Sequence, residues 1–245
     1  ISPKANLEKF PISVIILTKP MDIVNPEYEN LIDSLIRDGY LKTLEIIEAF
    51  KAIDRADFVP EEYKSEAYVN APLPLGLDQT ISQPLTVAFM LELLEPKPGE
   101  KILDIGAGSG WTTALLAYIV SQHKEVELPK EVQLPKIIAI ERILELKQMA
   151  EKNISKYNFI EKGIVKIILG DGSKGYKKEA PYDKIIAAAA ATGDVPVYWK
   201  RQLKIGGRIV APVENSVIVI DKTGKNRYNQ KEYFGFSFVP LITNN

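Results

Sequence analysis

The sequence contains no cysteine, a single histidine and three methionines among its 245 residues. The absence of cysteine excludes disulfide bonds, thiolate metal sites and cysteine nucleophiles. Because His123 is the sole histidine, no metal site can be built on several histidines, and a serine–histidine–aspartate triad could use that residue alone. We therefore expect no resident metal ion.

An excess of charge of one sign and long apolar runs are also missing. Lys and Arg number 31 against 32 Asp and Glu, which gives a net charge of -1 and no basic surface for nucleic acid or anionic membranes. No stretch approaches the roughly 20 apolar residues that a membrane span needs. We expect a cytoplasmic protein that binds neither nucleic acid nor membranes, and a monomer is the favoured state.

From residue 101 onward, short apolar runs alternate with helical segments. Apolar strands separated by helices are typical of a doubly wound, mostly parallel sheet, and the last two strands can pair antiparallel. The pattern predicts an α/β protein with a Rossmann-like, seven-stranded sheet. The predicted strands are 101–105, 136–141, 163–172, 182–191, 206–213, 216–221 and 231–241, with helices at 111–120, 142–158 and 195–204.

Two helices are predicted ahead of the sheet, within residues 26–58. In the first, Leu31, Ile32, Leu35 and Ile36 form one apolar stripe, and Gly39 suits its end. In the second, Thr43 is a candidate cap and one side carries Leu44, Ile47 and Phe50.

The chain divides, on this pattern, into an extension and a single domain. Residues 125–136 contain a near-repeat, EVELPK then EVQLPK, whose prolines and charges predict an exposed loop. We expect an N-terminal extension at 1–25 and one domain at 26–245. Within the domain we place a helical lead-in at 26–72, an active-site segment at 73–95, a cofactor-binding sheet at 101–245 and a surface insert at 121–136.

A glycine-rich turn follows the first predicted strand of the sheet. Asp104, Gly106, Gly108 and Gly110 form the pattern D-x-G-x-G-x-G ahead of a helix, and glycines there let the backbone approach a ligand closely. The spacing does not match a dinucleotide fingerprint, because Trp111 stands where the pattern needs a later glycine. No Gly-Lys-Ser/Thr of a phosphate-binding loop is present. Together with Ala107 and Ser109, this turn predicts a cofactor site.

Two acids follow the next two strands. Glu141 ends the second strand of the sheet, where a carboxylate can accept both ribose hydroxyls of a nucleoside, and Asp171 is placed to meet an adenine edge. With their neighbours Arg142 and Gly172, they lie at the carboxyl ends of strands, where doubly wound sheets bind ligands. The pattern resembles that of S-adenosylmethionine-dependent methyltransferases.

The segment after the fourth strand of the sheet bears on the methyl acceptor. It reads AAAAATGDVP over residues 187–196 and offers no side-chain acceptor for an amine proton, and His123 is expected on the surface of the insert. A site poor in bases suits a carboxylate, which is already ionised at neutral pH because its pKa is near 4. Such an enzyme mainly aligns the reacting groups and excludes water.

Several ordered motifs carry a closer resemblance. They are GLDQTISQP at 76–84, GDG at 170–172, the alanine run at 187–191, QLKIGGRIVAPV at 202–213 and FVPL at 238–241. Over about residues 28–241 the chain closely resembles the protein-L-isoaspartate O-methyltransferase family. The resemblance implies transfer of a methyl group from S-adenosylmethionine to the α-carboxylate of L-isoaspartyl residues in damaged proteins, leaving S-adenosylhomocysteine.

The same resemblance assigns the substrate side of the site. The family's active-site serine maps onto Ser82, whose hydroxyl would hydrogen-bond or position the substrate carboxylate. Thr80 and Ile81 would line the same cleft, and Val239 would lie near the bound peptide. From the residues alone, Ser82 also reads as the cap of a helix that begins at Pro84, and the two roles are compatible because helix N-termini attract carboxylates.

The chain departs from the family pattern at Leu77, at Asp78 and at residues 191–194. We expect Asp78 to point away from the pocket, because an acid would repel the substrate. Two alternatives stay open. One is a methyltransferase of the same fold that modifies a different peptide carboxylate, and the other is a cofactor-binding adaptor without turnover whose partner surface is the insert.

Overall fold

The computed structural model describes residues 25–122 and 137–243, and its first elements are two helices. Helix α1 spans Pro26–Arg37, and Asn25 caps it by accepting a hydrogen bond of 2.9 Å from the backbone N–H of Glu27. Gly39, at φ +77°, follows its end as predicted. The buried stripe consists of Tyr28, Leu31, Ile32 and Leu35, whereas Ile36 is partly exposed.

Helix α2 spans Leu44–Ala52 and differs from the prediction in its cap and its buried face. Ile46 and Phe50 are buried, but Leu44 is 64% exposed. Thr43 precedes the helix without capping it, because its hydroxyl instead donates to Glu92 Oε2 at 2.7 Å. A partner 49 residues away along the chain thus replaces the local cap.

A small hairpin and a helix form the segment around Ser82. Strands β1 (Leu73–Gly76) and β2 (Gln79–Ile81) pair antiparallel, and helix α3 spans Pro84–Leu94. Leu77 and Asp78, at φ +55° and +58°, form the two-residue turn between the strands, whose left-handed backbone matches the twist of a hairpin. Asp78 is exposed, as expected.

The remaining strands form one seven-stranded sheet within the described residues. They are β3 (Ile102–Ile105), β4 (Ile137–Glu141), β5 (Val165–Leu169), β6 (Tyr182–Ala187), β7 (Leu203–Val213), β8 (Ser216–Gly224) and β9 (Arg227–Phe234). The order is β5-β4-β3-β6-β7-β8-β9. The first five strands of that order are parallel, and β8 and β9 are antiparallel, which confirms the mostly parallel sheet.

Helices α4 (Trp111–Ser121), α5 (Leu144–Ser155) and α6 (Val197–Gln202) follow strands β3, β4 and β6. Strands β3 and β4 are buried along their whole length. Successive side chains of a strand point to opposite faces, so Ile102 packs into one apolar core and Leu103 into the other. Coverage of both faces explains why these strands are apolar without alternation.

The last predicted strand is wrong in its extent. β9 ends at Phe234, and Gly235, at φ +96°, turns the chain out of the sheet. The following segment crosses to the end of β6, where Ala190 donates a hydrogen bond of 2.8 Å to Val239 O and accepts one of 2.7 Å from Leu241 N. This crossing places FVPL beside the carboxyl ends of the parallel strands.

Some predictions fall outside the described residues. These are the extension up to residue 24 and the insert from His123 to residue 136; Ser121, predicted in the insert, is the last residue of α4. No helix in the described parts of the chain is long and apolar enough to cross a membrane.

Candidate active site

A cleft of about 380 Å³ opens at the carboxyl edge of the parallel strands. Ligands of doubly wound sheets bind in this position, and small-molecule sites have volumes of roughly 300–1,000 Å³. The cleft wall has a sheet side and a loop side. The sheet side comes from residues after β3, β4, β5 and β6, and the loop side comes from 79–83, Thr86 and 237–242.

The glycine turn is fastened to the neighbouring strand by its backbone. The N–H groups of Gly106 and Ala107 both donate to Ile140 O, at 2.9 and 3.1 Å. Gly110, at φ +92°, directly precedes α4, and a Cβ atom there would lie 2.9 Å from Ile154 Cδ1 and 3.2 Å from Ala150 Cα. Because both the backbone angle and the close contacts disfavour a side chain, glycine is strongly preferred at this position.

Glu141 lies at the cleft wall with its carboxylate held by backbone groups. Its Oε2 accepts a hydrogen bond of 2.9 Å from Gly108 N, and its Oε1 accepts from Arg142 N and Ile143 N at 2.8 and 3.0 Å. Each carboxylate oxygen has two lone pairs, so the remaining capacity lies mainly at Oε2. The geometry therefore suits one strong hydrogen bond to a ligand hydroxyl better than two equal ones.

Asp104 lies behind the glycine turn, 1% exposed. Its Oδ2 accepts a hydrogen bond of 2.6 Å from Thr113 Oγ1, while its Oδ1 has no hydrogen-bond partner among the described residues. The pKa of Asp104 is raised to about 6, mainly by burial; the hydrogen bond from Thr113 lowers it and the nearby charge of Glu141 adds to the rise. With Ser82, Asp104 borders a small cavity of about 10 Å³ beside the main cleft.

Asp171 does not line the cleft, although Gly170 and Gly172 on either side of it do. Its Oδ1 accepts a hydrogen bond of 2.9 Å from Ser173 N and so caps the 3₁₀ turn Gly172–Lys174. The contact with an adenine edge stays a prediction for this residue. The structure places the glycines of GDG, rather than its acid, in the wall.

The substrate-side residues lie on the loop side of the cleft. Ser82 is half-buried, Ile81 is buried and Thr80 is exposed, and all three line the cleft together with Val239. The interpretation of Ser82 as a helix cap is wrong. The residue that precedes α3 is Gln83, without a side-chain cap, and the distant Asn70 accepts the N–H of Leu85 through Oδ1 at 3.0 Å.

Few ionisable groups border the cleft. Among the described residues of its wall, Glu141 and Arg142 are the ionisable ones, and the carboxylate of Glu141 already accepts three backbone hydrogen bonds. The described parts of the chain also contain no cluster of three metal-ligating side chains. The described part of the wall therefore offers hydroxyl and backbone groups but no free general base for a protonated nucleophile.

The structure brings most of the predicted site residues together. Those that line the cleft are Thr80, Ile81, Ser82, Gly106, Ala107, Gly108, Ser109, Glu141, Arg142, Gly172 and Val239. Asp104, Gly110 and Asp171 lie behind the wall. The sequence interpretation missed Thr86 and Phe238, which also line it. Thr86 lies in the first turn of the helix that follows Ser82, and Phe238 begins the FVPL motif, so both adjoin stretches that the sequence already marked.

Comparison with known proteins agrees with this geometry. The family model for protein-L-isoaspartate (D-aspartate) O-methyltransferase (PCMT) matches residues 26–245. The chain belongs to this family. It is 40% identical over 218 residues to the protein-L-isoaspartate O-methyltransferase of Methanopyrus kandleri, covering 87% of this chain and 90% of that protein. It is 42% identical over 199 residues to protein-L-isoaspartate O-methyltransferase 2 of Archaeoglobus fulgidus, covering 80% and 84%.

Solved structures support the fold. A Plasmodium falciparum protein described as a protein-L-isoaspartate O-methyltransferase, crystallised with S-adenosyl-L-homocysteine, superposes with a TM-score of 0.76 at 22% identity. The match covers 89% of this chain and 99% of that one. A second PCMT structure superposes with a TM-score of 0.74 at 24% identity, covering 87% and 65%. At these identities the comparison establishes the shared α/β architecture.

The donor set of the cleft fits S-adenosylmethionine, the cofactor on which the PCMT family depends. This cofactor carries a sulfonium, an ammonium and a carboxylate, and its net charge is positive. The acids Asp104 and Glu141 lie on the sheet side, and the unpartnered Oδ1 of Asp104 is a buried acceptor in the described chain. The spare hydrogen-bonding capacity of Glu141 and Asp104 therefore matches a nucleoside cofactor.

Proposed function

We propose that this chain transfers the methyl group of S-adenosylmethionine to the α-carboxylate of L-isoaspartyl residues in damaged proteins and peptides. When bound, this cofactor supplies an activated methyl group. Glu141, the glycine turn and the backbone around Gly172 hold the nucleoside on the sheet side, with Asp104 behind them. The observation that carries the proposal is that Ser82 faces the same cleft as the glycine turn, in a wall whose described residues offer no free general base.

Ser82 acts on the substrate side. Its hydroxyl donates no hydrogen bond within the described residues, so it can donate to an incoming carboxylate. An ionised carboxylate needs no proton removed, and the protein contributes alignment and exclusion of water. Thr80, Ile81 and Val239 contact the peptide around the acid. Because Val239 O accepts a hydrogen bond from Ala190 N, this segment is held against the end of β6.

The experiment is a methyl-transfer assay with an isoaspartyl peptide and its normal aspartyl isomer. The wild type is expected to methylate the first and little of the second. Ser82→Ala is expected to lower kcat/KM by roughly 10- to 100-fold, as for loss of a hydrogen bond to a charged group, with the affinity for S-adenosylhomocysteine within about 2-fold. Ser34→Ala is the matched control, because the Ser34 hydroxyl donates to Leu31 O of its own helix and to no other described residue.

Outcomes of this assay separate the alternatives. Methylation of other peptide acids, but not of the isoaspartyl peptide, would favour a carboxyl methyltransferase of different specificity. Cofactor binding without methyl release from any peptide would favour an adaptor. An unchanged rate in Ser82→Ala would remove Ser82 from the catalytic role.

Several broader predictions accompany this function. We infer one methyltransferase domain at residues 26–245 that acts as a monomer in the cytoplasm and does not bind nucleic acid. The balanced charge, with a net value of -1, supports the last point. Sedimentation at the working concentration and a nucleic-acid binding assay test the monomer and the lack of nucleic-acid binding.

A further inference from the structure

Arg55 is a buried cation that lies outside the predicted site residues. It begins the 3₁₀ turn Arg55–Phe58 and is 0% exposed. None of the ion pairs among the described residues includes it, and burial lowers its pKa to about 10. Burying an unpaired charge is costly, so the surroundings must supply compensating hydrogen bonds.

Main-chain carbonyls around Arg55 accept those hydrogen bonds from its guanidinium group. Its Nη1 donates to Ala67 O and Val69 O, at 2.6 and 3.2 Å. Its Nη2 donates to Ala71 O and Ser82 O, at 2.9 and 3.2 Å. A planar group with several fixed donors can hold carbonyls from two separate segments at once, which an ammonium cannot do as well. Arg55 thereby joins loop 67–71 to Ser82.

Loop 67–71 also forms hydrogen bonds with the residues that follow Ser82. Asn70 Oδ1 accepts the N–H of Leu85 at 3.0 Å, and Asn70 O accepts a hydrogen bond of 2.9 Å from Gln83 Nε2. Ser82 is therefore held at its own carbonyl by Arg55, and the start of α3 is held by the loop that Arg55 also organises.

A second contact links Arg55 to the cofactor side. Its Cζ lies 5.4 Å from the ring centroid of Trp111, which is within the range of a cation–π interaction. Trp111 directly follows the glycine turn and lines the cleft, as does Ser82. Arg55 itself does not line the cleft. From outside the cleft, Arg55 therefore contacts Ser82 on the loop side and Trp111 on the sheet side.

We propose that Arg55 is a positioning residue that sets the Ser82 carbonyl, and with it the direction of the Ser82 hydroxyl, relative to the cofactor side of the cleft. This inference rests on the proposed function of Ser82. A misplacement of about 1 Å can cost on the order of 100-fold in rate when catalysis depends on alignment. Arg55 therefore acts through Ser82 and does not touch the substrate.

The variants are Arg55→Met, Arg55→Lys and a matched control, Lys222→Met. Lys222 is also buried and also donates to two carbonyls, Lys200 O and Leu203 O at 2.8 and 2.7 Å, but neither of these acceptor residues lines the cleft, whereas Ser82 does. Both methionine variants remove a buried cation that binds carbonyls, so both are expected to lower Tm. The comparison therefore separates a loss of stability from a loss of positioning.

The kinetic readout compares the effect of each variant on kcat and on KM for the peptide with its effect on Kd for S-adenosylhomocysteine. Arg55→Met is expected to raise KM for the isoaspartyl peptide and lower kcat, each by about 10-fold, with Kd for S-adenosylhomocysteine within about 2-fold. Arg55→Lys is expected to recover part of kcat/KM, because it keeps the charge but reaches fewer carbonyls. Equal kinetic losses in Arg55→Met and Lys222→Met, or an unchanged peptide KM in Arg55→Met, would overturn the inference.

Amide hydrogen exchange provides a readout that needs no turnover. In Arg55→Lys and Arg55→Met, amides in residues 67–83 are expected to exchange about 10-fold faster than in wild type, and Lys222→Met is expected to leave them unchanged. If the wild type does not methylate the peptide, the proposed function fails, and exchange alone then decides whether Arg55 organises this segment. Unchanged exchange over 67–83 would overturn the role of Arg55.

Discussion

The two sides of the cleft are built by different means. On the sheet side, backbone groups that belong to adjacent parallel strands and their following turns bind one another, as where Gly106 N and Ala107 N both donate to Ile140 O. On the loop side, single polar side chains bind the backbone of other segments. Arg55 reaches Ser82 across 27 residues, and Asn70 reaches Leu85 across 15.

This difference suggests that substitutions on the two sides of the cleft have different consequences. The sheet side depends on strand pairing and on positions where no side chain fits, so a change there should affect folding and cofactor binding together. The loop side depends on a few polar side chains, so a change there should weaken the substrate step while the sheet remains intact. Three predictions test that difference, beginning with the largest expected effect.

The first prediction concerns Gly110 on the sheet side. Gly110→Ala is expected to lower the free energy of unfolding by about 4 kcal/mol, combining left-handed strain of about 1–2 kcal/mol with overpacking of about 1–3 kcal/mol against Ile154 and Ala150. Cofactor affinity should fall with it. Urea unfolding and titration with S-adenosylhomocysteine measure the two effects.

The control is Gly163→Ala. Gly163 has a similar left-handed backbone, at φ +68°, but a Cβ there would meet nothing within 4 Å. In Gly163→Ala the free energy of unfolding should fall only by the left-handed strain, about 1–2 kcal/mol, and the cofactor affinity should be unchanged. Equal losses in the two variants would mean that close packing at Gly110 is not what shapes the sheet side.

The second prediction uses the buried acid Asp104. Burial raises its folded-state pKa from 3.8 to about 6, so between these values the folded protein binds more protons than the unfolded chain. Stability is therefore lost as the pH rises through this window, by about 3 kcal/mol for a shift of about 2 pKa units. Asp104→Asn should remove that loss in the ligand-free protein, as measured by urea unfolding at about pH 4 and about pH 7.

Thr113→Val should act in the opposite direction. The hydrogen bond from the Thr113 hydroxyl holds the pKa of Asp104 down, so its removal should raise that pKa further and extend the loss of stability to higher pH. A pH dependence in Asp104→Asn that matches wild type would assign the titration to another group. The sheet side would then lack the buried, ionisable acceptor that we attribute to it.

The same difference explains what the sequence could predict. The strand pattern and the D-x-G-x-G-x-G motif are local, so the sheet, the glycine turn and Glu141 could be placed from the sequence. Asn70 and Arg55 carry no local signal of their role, because each acts on a segment that only the folded chain brings near.

Failures of local prediction follow the same rule. Thr43 and Ser82 both precede helices and suit a cap in sequence, yet Glu92 takes the Thr43 hydroxyl and Asn70 caps α3 from outside. Tertiary partners satisfied these helix ends, so local capping patterns misassigned them. The predicted extent of the last strand was wrong for a similar reason. The apolar residues after Gly235 line the cleft and do not extend the sheet.

The third prediction, with the smallest expected effect, compares a distant cap with a local one. Asn70→Ala removes the acceptor for Leu85 N at the start of α3, and Asn25→Ala removes the acceptor for Glu27 N at the start of α1. Each should cost about 1 kcal/mol of unfolding free energy. Only Asn70→Ala should also raise the peptide KM, by a few-fold, because only this cap holds the backbone beside Ser82. Equal peptide KM values in the two variants would show that Ser82 keeps its place without the loop, and the loop side would then be as self-sufficient as the sheet.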